Sequence, residues 1–279
     1  MFNIHILRVK CEGLPQGDFL REASNPVDVI IKSFQSKPTA DVGRGSEWHI
    51  GNVEVLNEGV IGFAMGRTQA VKSPQFDEIT HDFLEEEAMR APFTIGVFDP
   101  KTQTCGIMRK NGVSQSSSEI ARKLEKLLNS APFAKESNYI IVAEPIPDPV
   151  NFIQAIISAQ AVTRFSFTVS PPNPHDVDRL IQGPAKEFTK EAGGEQTKIE
   201  VEGPDLNREL LQDVTKAVAA DGQKAAADIK PTEGGPSRRV HLSGNPVVER
   251  VTSEPSQSIF ESMVAATRRA YARVRGTAV

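Results

Sequence analysis

The chain has 279 residues, 39% hydrophobic and 24% charged, which excludes a disordered, collagenous or disulfide-scaffold protein and is long enough to bury a substantial core. Lysine and arginine number 32 against 36 acids, a net charge of −4, so the chain as a whole is not built to attract nucleic acid. No apolar run reaches the roughly 18 residues of a membrane-spanning helix.

The opening MFNIHILRVK alternates apolar and polar residues from Phe2 to Cys11 and reads as a half-buried strand rather than a signal peptide. Asn25-Pro26 opens a helix through Phe34, because Asn caps free N–H groups and Pro suits the first helical position. Ser36 to Ser46 is a polar loop. Trp48–Leu56 and Gly59–Thr68 read as two strands about the turn Asn57-Glu58-Gly59. Residues 76–90 follow with six acids against one base, and Phe76, Ile79, Phe83, Leu84 and Met89 fall near helical spacing, which predicts an acidic helix ended by Pro92. Phe93–Phe98 and Thr104–Lys110 form a hairpin about Asp99-Pro100-Lys101-Thr102.

Ser116 and Glu119 have capping-box spacing, and the helix behind them carries Ile120, Leu124, Leu127 and Leu128 on one face. Tyr139–Ala143 is a continuous apolar run and predicts a buried central strand. Asp148-Pro149 opens a short apolar helix with Phe152, Ile153, Ile156 and Ile157; Thr163–Val169 is an alternating strand. The prolines at 171, 172 and 174 break the chain and restart it as a helix to about Glu191, ended by Gly193-Gly194. Lys198–Glu202 is a short strand, and Asp205 is expected to cap a helix carrying Leu206, Leu210, Leu211, Val214 and Val218. Gln223–Ile229 and Arg238–Leu242 form a weak, exposed hairpin, and a polar connector leads to a last helix, Gln257–Arg275. The expected architecture is α+β: a mixed, mainly antiparallel sheet covered by helices over 1–170, a smaller α/β segment over 171–255, and the terminal helix 256–279.

Enzyme signatures are absent: no phosphate-binding loop, no dinucleotide-binding glycine pattern behind a strand, no nucleophile elbow, no His-Glu-x-x-His and no Cys-x-x-Cys. No cofactor is called for. Asp77, His81 and Glu85 share one face of the expected acidic helix, the spacing that metal ligands need, although a solvated acidic face accounts for the same residues. His5, His49, His175 and His241 have no companion at ligand spacing. Trp48 beside His49 reads as a core tryptophan. Cys11 and Cys105 sit far apart in predicted strands and read as buried free thiols of a reducing, cytoplasmic compartment.

The terminal helix is the most suggestive element. Phe260, Met263, Val264, Thr267, Tyr271 and Val274 fall on one face, which suits packing or a homodimer. Arg268, Arg269, Arg273 and Arg275 cluster within two turns, where guanidinium groups can grip phosphate and where the helix dipole also favours cations. Arg238 and Arg239 add a basic pair on the preceding hairpin.

From Phe93 to Leu180 the order of elements is a hairpin (FTIGVFDPKTQTCGIMRK), a Leu-rich helix and a strand ending in Ala143-Glu144-Pro145. A short apolar helix, an alternating strand (TRFSFTV) and a proline-broken helix start follow, and the chain closes on AATRRAYARVRG. This layout resembles that of RexA-type phage-exclusion proteins and related abortive-infection proteins, over about half of the chain. The resemblance implies an antiviral-defence protein of the cytoplasm that dimerises, binds DNA rather than RNA with little sequence preference, and works upstream of a separate membrane effector. It supplies no catalytic motif. Three readings therefore stand: a non-enzymatic nucleic-acid-binding defence or regulatory protein, a protein-interaction or assembly component, and a metal-dependent nuclease with scattered carboxylates such as Asp77, Glu85 or Glu144.

Overall fold

The computed structural model describes residues 1–13, 25–43, 46–169, 182–194, 196–242, 245–252 and 258–276. In chain order the first elements are β1 (Phe2–Gly13), α1 (Pro26–Gln35), β2 (Thr39–Asp41), β3 (Glu47–Val55), β4 (Ile61–Phe76), β5 (Phe83–Arg90), β6 (Phe93–Asp99) and β7 (Thr104–Met108). There follow α2 (Ser117–Ser130), α3 (Pro132–Glu136), β8 (Tyr139–Pro145), α4 (Val150–Ser158), β9 (Ala161–Val169) and α5 (Gln182–Glu191). The last are β10 (Thr197–Glu202), α6 (Arg208–Ala220), β11 (Ala225–Lys230), β12 (Arg238–His241), β13 (Val248–Val251) and α7 (Ile259–Arg275). The protein is α+β, with every strand pair antiparallel among the described residues.

Nine strands form the first sheet, seven along the path β13-β1-β7-β6-β4-β3-β2 with β8 paired to β1 and β5 to β4. Two long strands each serve two neighbours on one edge. β1 pairs with β13 through Phe2–His5 and with β8 through Leu7–Gly13, and the changeover falls at Ile6, whose N–H donates to Val247 O while its carbonyl accepts from Ile146 N. β4 pairs with β6 through Ile61–Gly66 and with β5 through Gln69–Phe76. The alternation of β1 divides its side chains between two cores. Leu7, Val9 and Cys11 join Phe34, Phe63, Phe98, Ile120, Leu124 and Leu128 under α1, α2 and α3, whereas Ile4 and Ile6 face the other way.

A second sheet, β10-β9-β11-β12, stands against that opposite face. Phe165, Phe167 and Val169 of β9 join Val214 and Val218 of α6, Met263, Ala266 and Ala270 of α7, and Ile4, Ile6 and Val97 of the first sheet in one continuous core. At roughly 1.5–3 kcal/mol per fully buried large apolar side chain, this shared core, and not either sheet alone, is the main stabilising term of the C-terminal half.

Local signals hold where a cap or an alternation set them. Asn25 Oδ1 accepts from Val27 N at 3.0 Å with Pro26 behind it, Ser116 caps α2, and α7 starts on a complete capping box between Ser258 and Glu261. Cys11 and Cys105 are free and buried, and burial pushes the Cys11 thiol up to about 12.

Four expectations are corrected. Residues 76–90 are not a helix: Phe76 ends β4, Phe83–Arg90 are β5, and a tight turn joins them, with Asp77 Oδ1 accepting from Ile79 N at 2.8 Å and His81 at φ 58°. Pairing with the already formed edge of β4 outweighed the helical preference of the glutamates, whose apolar spacing also suits a ribbon exposed on both faces. The cap of α6 is Asn207, which accepts from Glu209 N and Leu210 N; Asp205 instead accepts from Val162 N at 3.0 Å. The hairpin at 223–242 is not peripheral, because β11 is an inner strand with Ala225, Ala227 and Ile229 buried. Finally, β8 is not a central strand: among the described residues it pairs with β1 alone and Ile140 is 46% exposed, while α7 packs its apolar face in the core, one of the two uses its spacing suggested. The proline break at 171–174, His175, residues 44 and 45 of the polar loop and both ends of the polar connector lie outside the described residues, while the middle of that connector forms β13. The second sheet nevertheless begins with β9, before that break, and β13 returns to the first sheet after it.

Candidate anion-binding site

The six arginines singled out by charge and spacing do not make one site. Arg268 Nε donates to Asp99 Oδ2 at 2.7 Å and its Nη2 to Glu58 Oε2 at 3.0 Å, so the cation is spent on a carboxylate that is itself 2% exposed. Asp99 holds the guanidinium pKa above its ordinary range, and the hydrogen bond from Lys101, with the Arg268 charge beside it, holds the Glu58 carboxyl below its own. Arg273 donates to Glu249 at 2.9 Å, and Arg239 stands 3.8 Å from Asp228. Arg269 and Arg238 are exposed, and Arg275 is half-buried with a partner of its own. The apolar face of α7, a candidate dimer surface in the sequence, is closed inside the chain, with Met263, Ala266, Ala270, Tyr271 and Val274 buried.

A different set of cations converges. Trp48 of β3 and Arg67 of β4 are cross-strand partners, so the register alone puts the two side chains on one face of the sheet. α2 passes over that face. Its polar side supplies Glu119, Arg122 and Lys123, and the Lys123 ammonium sits 4.3 Å from the centre of the Trp48 ring, which is 2% exposed and serves as a packed floor. Val42, Gly43 and Ser46 form one rim and Gly112, Val113 and Gln115 the other, around a cavity of about 460 Å³. Gly43 at φ 102° turns the first rim in a conformation that L side chains rarely adopt.

Among the described residues, three cations and one carboxylate, Glu119, line this cavity. Burial lowers the Lys123 pKa; Glu119 opposes that shift, and the like charges of Arg67 and Arg122 add to it. The Arg67 Nε is buried and has no hydrogen-bond partner. Leaving such a donor unsatisfied costs about 1–3 kcal/mol, which an acceptor oxygen brought within its reach would relieve. The chemistry on offer is recognition of an anion by charge and by guanidinium N–H donors.

The carboxylates of the nuclease reading are dispersed. Asp77 and His81 lie in the β4–β5 turn, and Glu85 on β5 pairs with Lys72 at 3.8 Å. Glu144 stands 3.6 Å from the buried Lys10 ammonium, and desolvation outweighs that cation and raises its pKa. Among the described residues no group of three His, Cys, Asp or Glu side chains is placed to hold a metal ion. Nor, among them, is any helix long and apolar enough to cross a membrane.

No protein-family model matches the chain, and no curated protein matches it significantly. The converging cations had little signal in the sequence. Arg122 and Lys123 lie on the polar side of a helix whose sequence signal was its apolar face, and Trp48 and Arg67 are joined only by strand register. The clustered arginines at the C-terminus were conspicuous because they are adjacent in sequence, which is also where a helix end ordinarily recruits cations.

Proposed function

We propose that the protein binds nucleic acid through backbone phosphate held at Arg67, Arg122 and Lys123, without reading sequence and without catalysing a reaction. The observation that carries this reading is the buried, unpartnered Arg67 Nε in a cavity with two further cations. Phosphate contacts fix position and charge but carry no base information, which agrees with a site that offers guanidinium and ammonium donors. A role in antiviral defence or regulation, action as a dimer, preference for DNA and a separate effector rest on the resemblance to phage-exclusion proteins.

Fluorescence anisotropy with labelled duplex and single-stranded oligonucleotides, titrated with salt, tests it. A site this small neutralises two or three phosphates, so log K should fall against log salt with a slope of about −2 to −3 on duplex DNA. Arg67→Ala and Arg122→Ala should each flatten that slope by about one, and Arg269→Ala should leave it unchanged. Salt-indifferent binding, or loss of affinity in Arg269→Ala but not in Arg67→Ala, would overturn the assignment. Saturable binding of a labelled mononucleotide, with no binding of either oligonucleotide, would make the ligand a small phosphate ester instead.

A further inference from the structure

The cavity that Arg67, Arg122 and Lys123 line is bounded by two rims and by α2, over the packed floor of Trp48. Its volume of about 460 Å³ falls in the range that encloses a small molecule, so a whole terminal nucleotide can enter. Arg67 is half-buried there, with its Nε sealed from solvent. A phosphate in the interior of a strand carries a nucleotide on each side, and both would have to pass the rims with it. A phosphate at the end of a strand carries one.

Charge distinguishes the same two kinds of phosphate. Among the described residues, three cations stand against one carboxylate in the cavity, a balance of +2. A diester phosphate carries a single charge and a pair of free oxygens, whereas a terminal monoester carries a charge of about −1.5 to −2 on three acceptor oxygens. Of the two, the monoester matches both the charge and the donors, with one oxygen for each of Arg67, Arg122 and Lys123. The Trp48 ring is 2% exposed and has the Lys123 ammonium over it, so it offers no face for a base to stack on.

The surroundings give a strand one way out. Along β4, Arg67 leads into the β4–β5 ribbon, where residues 69–90 hold six acids against Lys72 and Arg90. Along α2 the charge has the other sign. Arg122 and Lys126 are about one turn apart, or ~6 Å along the helix axis. Both are exposed, and among the described residues neither is in an ion pair. Like charges at this spacing repel each other, and a polyanion laid over them removes the repulsion. Glu125, next to Lys126 in sequence, is occupied elsewhere, its Oε2 accepting from Ala143 N on β8 at 3.1 Å. A strand that passes through a site needs an exit on both sides; a strand that ends there needs one, and α2 provides it.

Resting on the phosphate reading of these three cations, we infer that the cavity is a seat for the end of a nucleic-acid strand. It takes a terminal phosphate monoester, at the 5′ or the 3′ end, on Arg67, Arg122 and Lys123, and the following phosphate lies along α2 toward Lys126. The strand is held by its end and not by its interior, so affinity depends on whether an end is present and phosphorylated and not on the sequence behind it.

Fluorescence anisotropy of the full chain tests it, with short single strands of one sequence labelled on an internal base. The strands carry hydroxyls at both ends, a 5′-phosphate or a 3′-phosphate, and an unlabelled circle of the same sequence serves as competitor. One phosphorylated strand should bind about tenfold more tightly than the hydroxyl-ended strand, and which one does so identifies the end. Its extra charge should steepen log K against log salt by about 0.7. Arg67→Ala and Arg122→Ala should each erase most of this preference; Arg122 is exposed, so its variant tests the site without disturbing the core. Lys126→Ala should weaken all the linear strands alike and keep the preference. Equal affinity for hydroxyl-ended, phosphorylated and circular strands overturns the inference and leaves phosphate binding itself standing, whereas no binding of any strand overturns both. A preference that survives Arg67→Ala and Arg122→Ala also overturns it, because the end is then read elsewhere.

Discussion

Arg268 shows how one side chain can look like a ligand contact in the sequence and be a structural ion pair in the fold. It bridges Asp99, nearly inaccessible at the end of β6, and Glu58 in the turn before β4, and so ties α7 to the adjoining ends of these two strands. Asp99 Oδ1 is occupied by the Lys101 N–H at 3.0 Å, so Arg268 supplies the only charge compensation that the hydrogen bonds show for its other oxygen, among the described residues. Arg268→Ala should therefore lower stability by about 1–3 kcal/mol, the cost of a buried polar group left unpaired, read as a lower Tm in thermal unfolding. The same substitution should leave oligonucleotide affinity unchanged. Arg269→Ala, one residue on and exposed, should leave both unchanged. Adjacent arginines are thus separable by which carboxylates the fold brings to them, and no spacing rule contains that information.

At the scale of elements, the approach of α7 to the first sheet is decided by a small residue. A Cβ at Gly106 of β7 would collide with Thr267 Oγ1, which is buried on α7 and donates to Met263 O at 2.8 Å. Thr267 is β-branched and held by that hydrogen bond, so it has no easy rotamer to retreat to. Gly106→Ala should destabilise by about 1–3 kcal/mol, as overpacking does, and Thr267→Ala in the same chain should return part of it in denaturant titration. Elements with their own punctuation were legible beforehand: the capped helices α1, α2 and α7, and the alternating strands β1 and β9. Those that depended on a distant partner were not. β5 was misread because its glutamates favour a helix until the edge of β4 offers hydrogen bonds, and β11 looked marginal because its alanines acquire meaning only between β9 and β12. The anion cavity failed to show for the same reason, since it is assembled from β3, β4 and α2 by register.

Strands from both sides of the proline break build each sheet, so the two segments that the break suggested share one core. β9 leaves the first half of the chain to build the second sheet, while β13 and α7 come back to close the first. Because Ile4 and Ile6 share a core with Phe165, Val218 and Met263, while Leu7 and Val9 on the same strand belong to the other core, β1 couples the two faces mechanically. The single tryptophan, Trp48, sits in the second of these cores and reports on the first sheet alone. Phe165→Ala removes a large side chain from the opposite core and should cost about 3–5 kcal/mol. If the molecule unfolds as one cooperative unit, the Trp48 fluorescence transition should move with that cost, by on the order of 10 °C in Tm. It should coincide with the loss of the far-ultraviolet dichroism of both sheets. An unshifted tryptophan transition beside a shifted dichroism signal would mean that the second sheet melts by itself and that the chain divides near β9 after all. Coincident, shifted transitions would mean that the two sheets unfold together through the core they share.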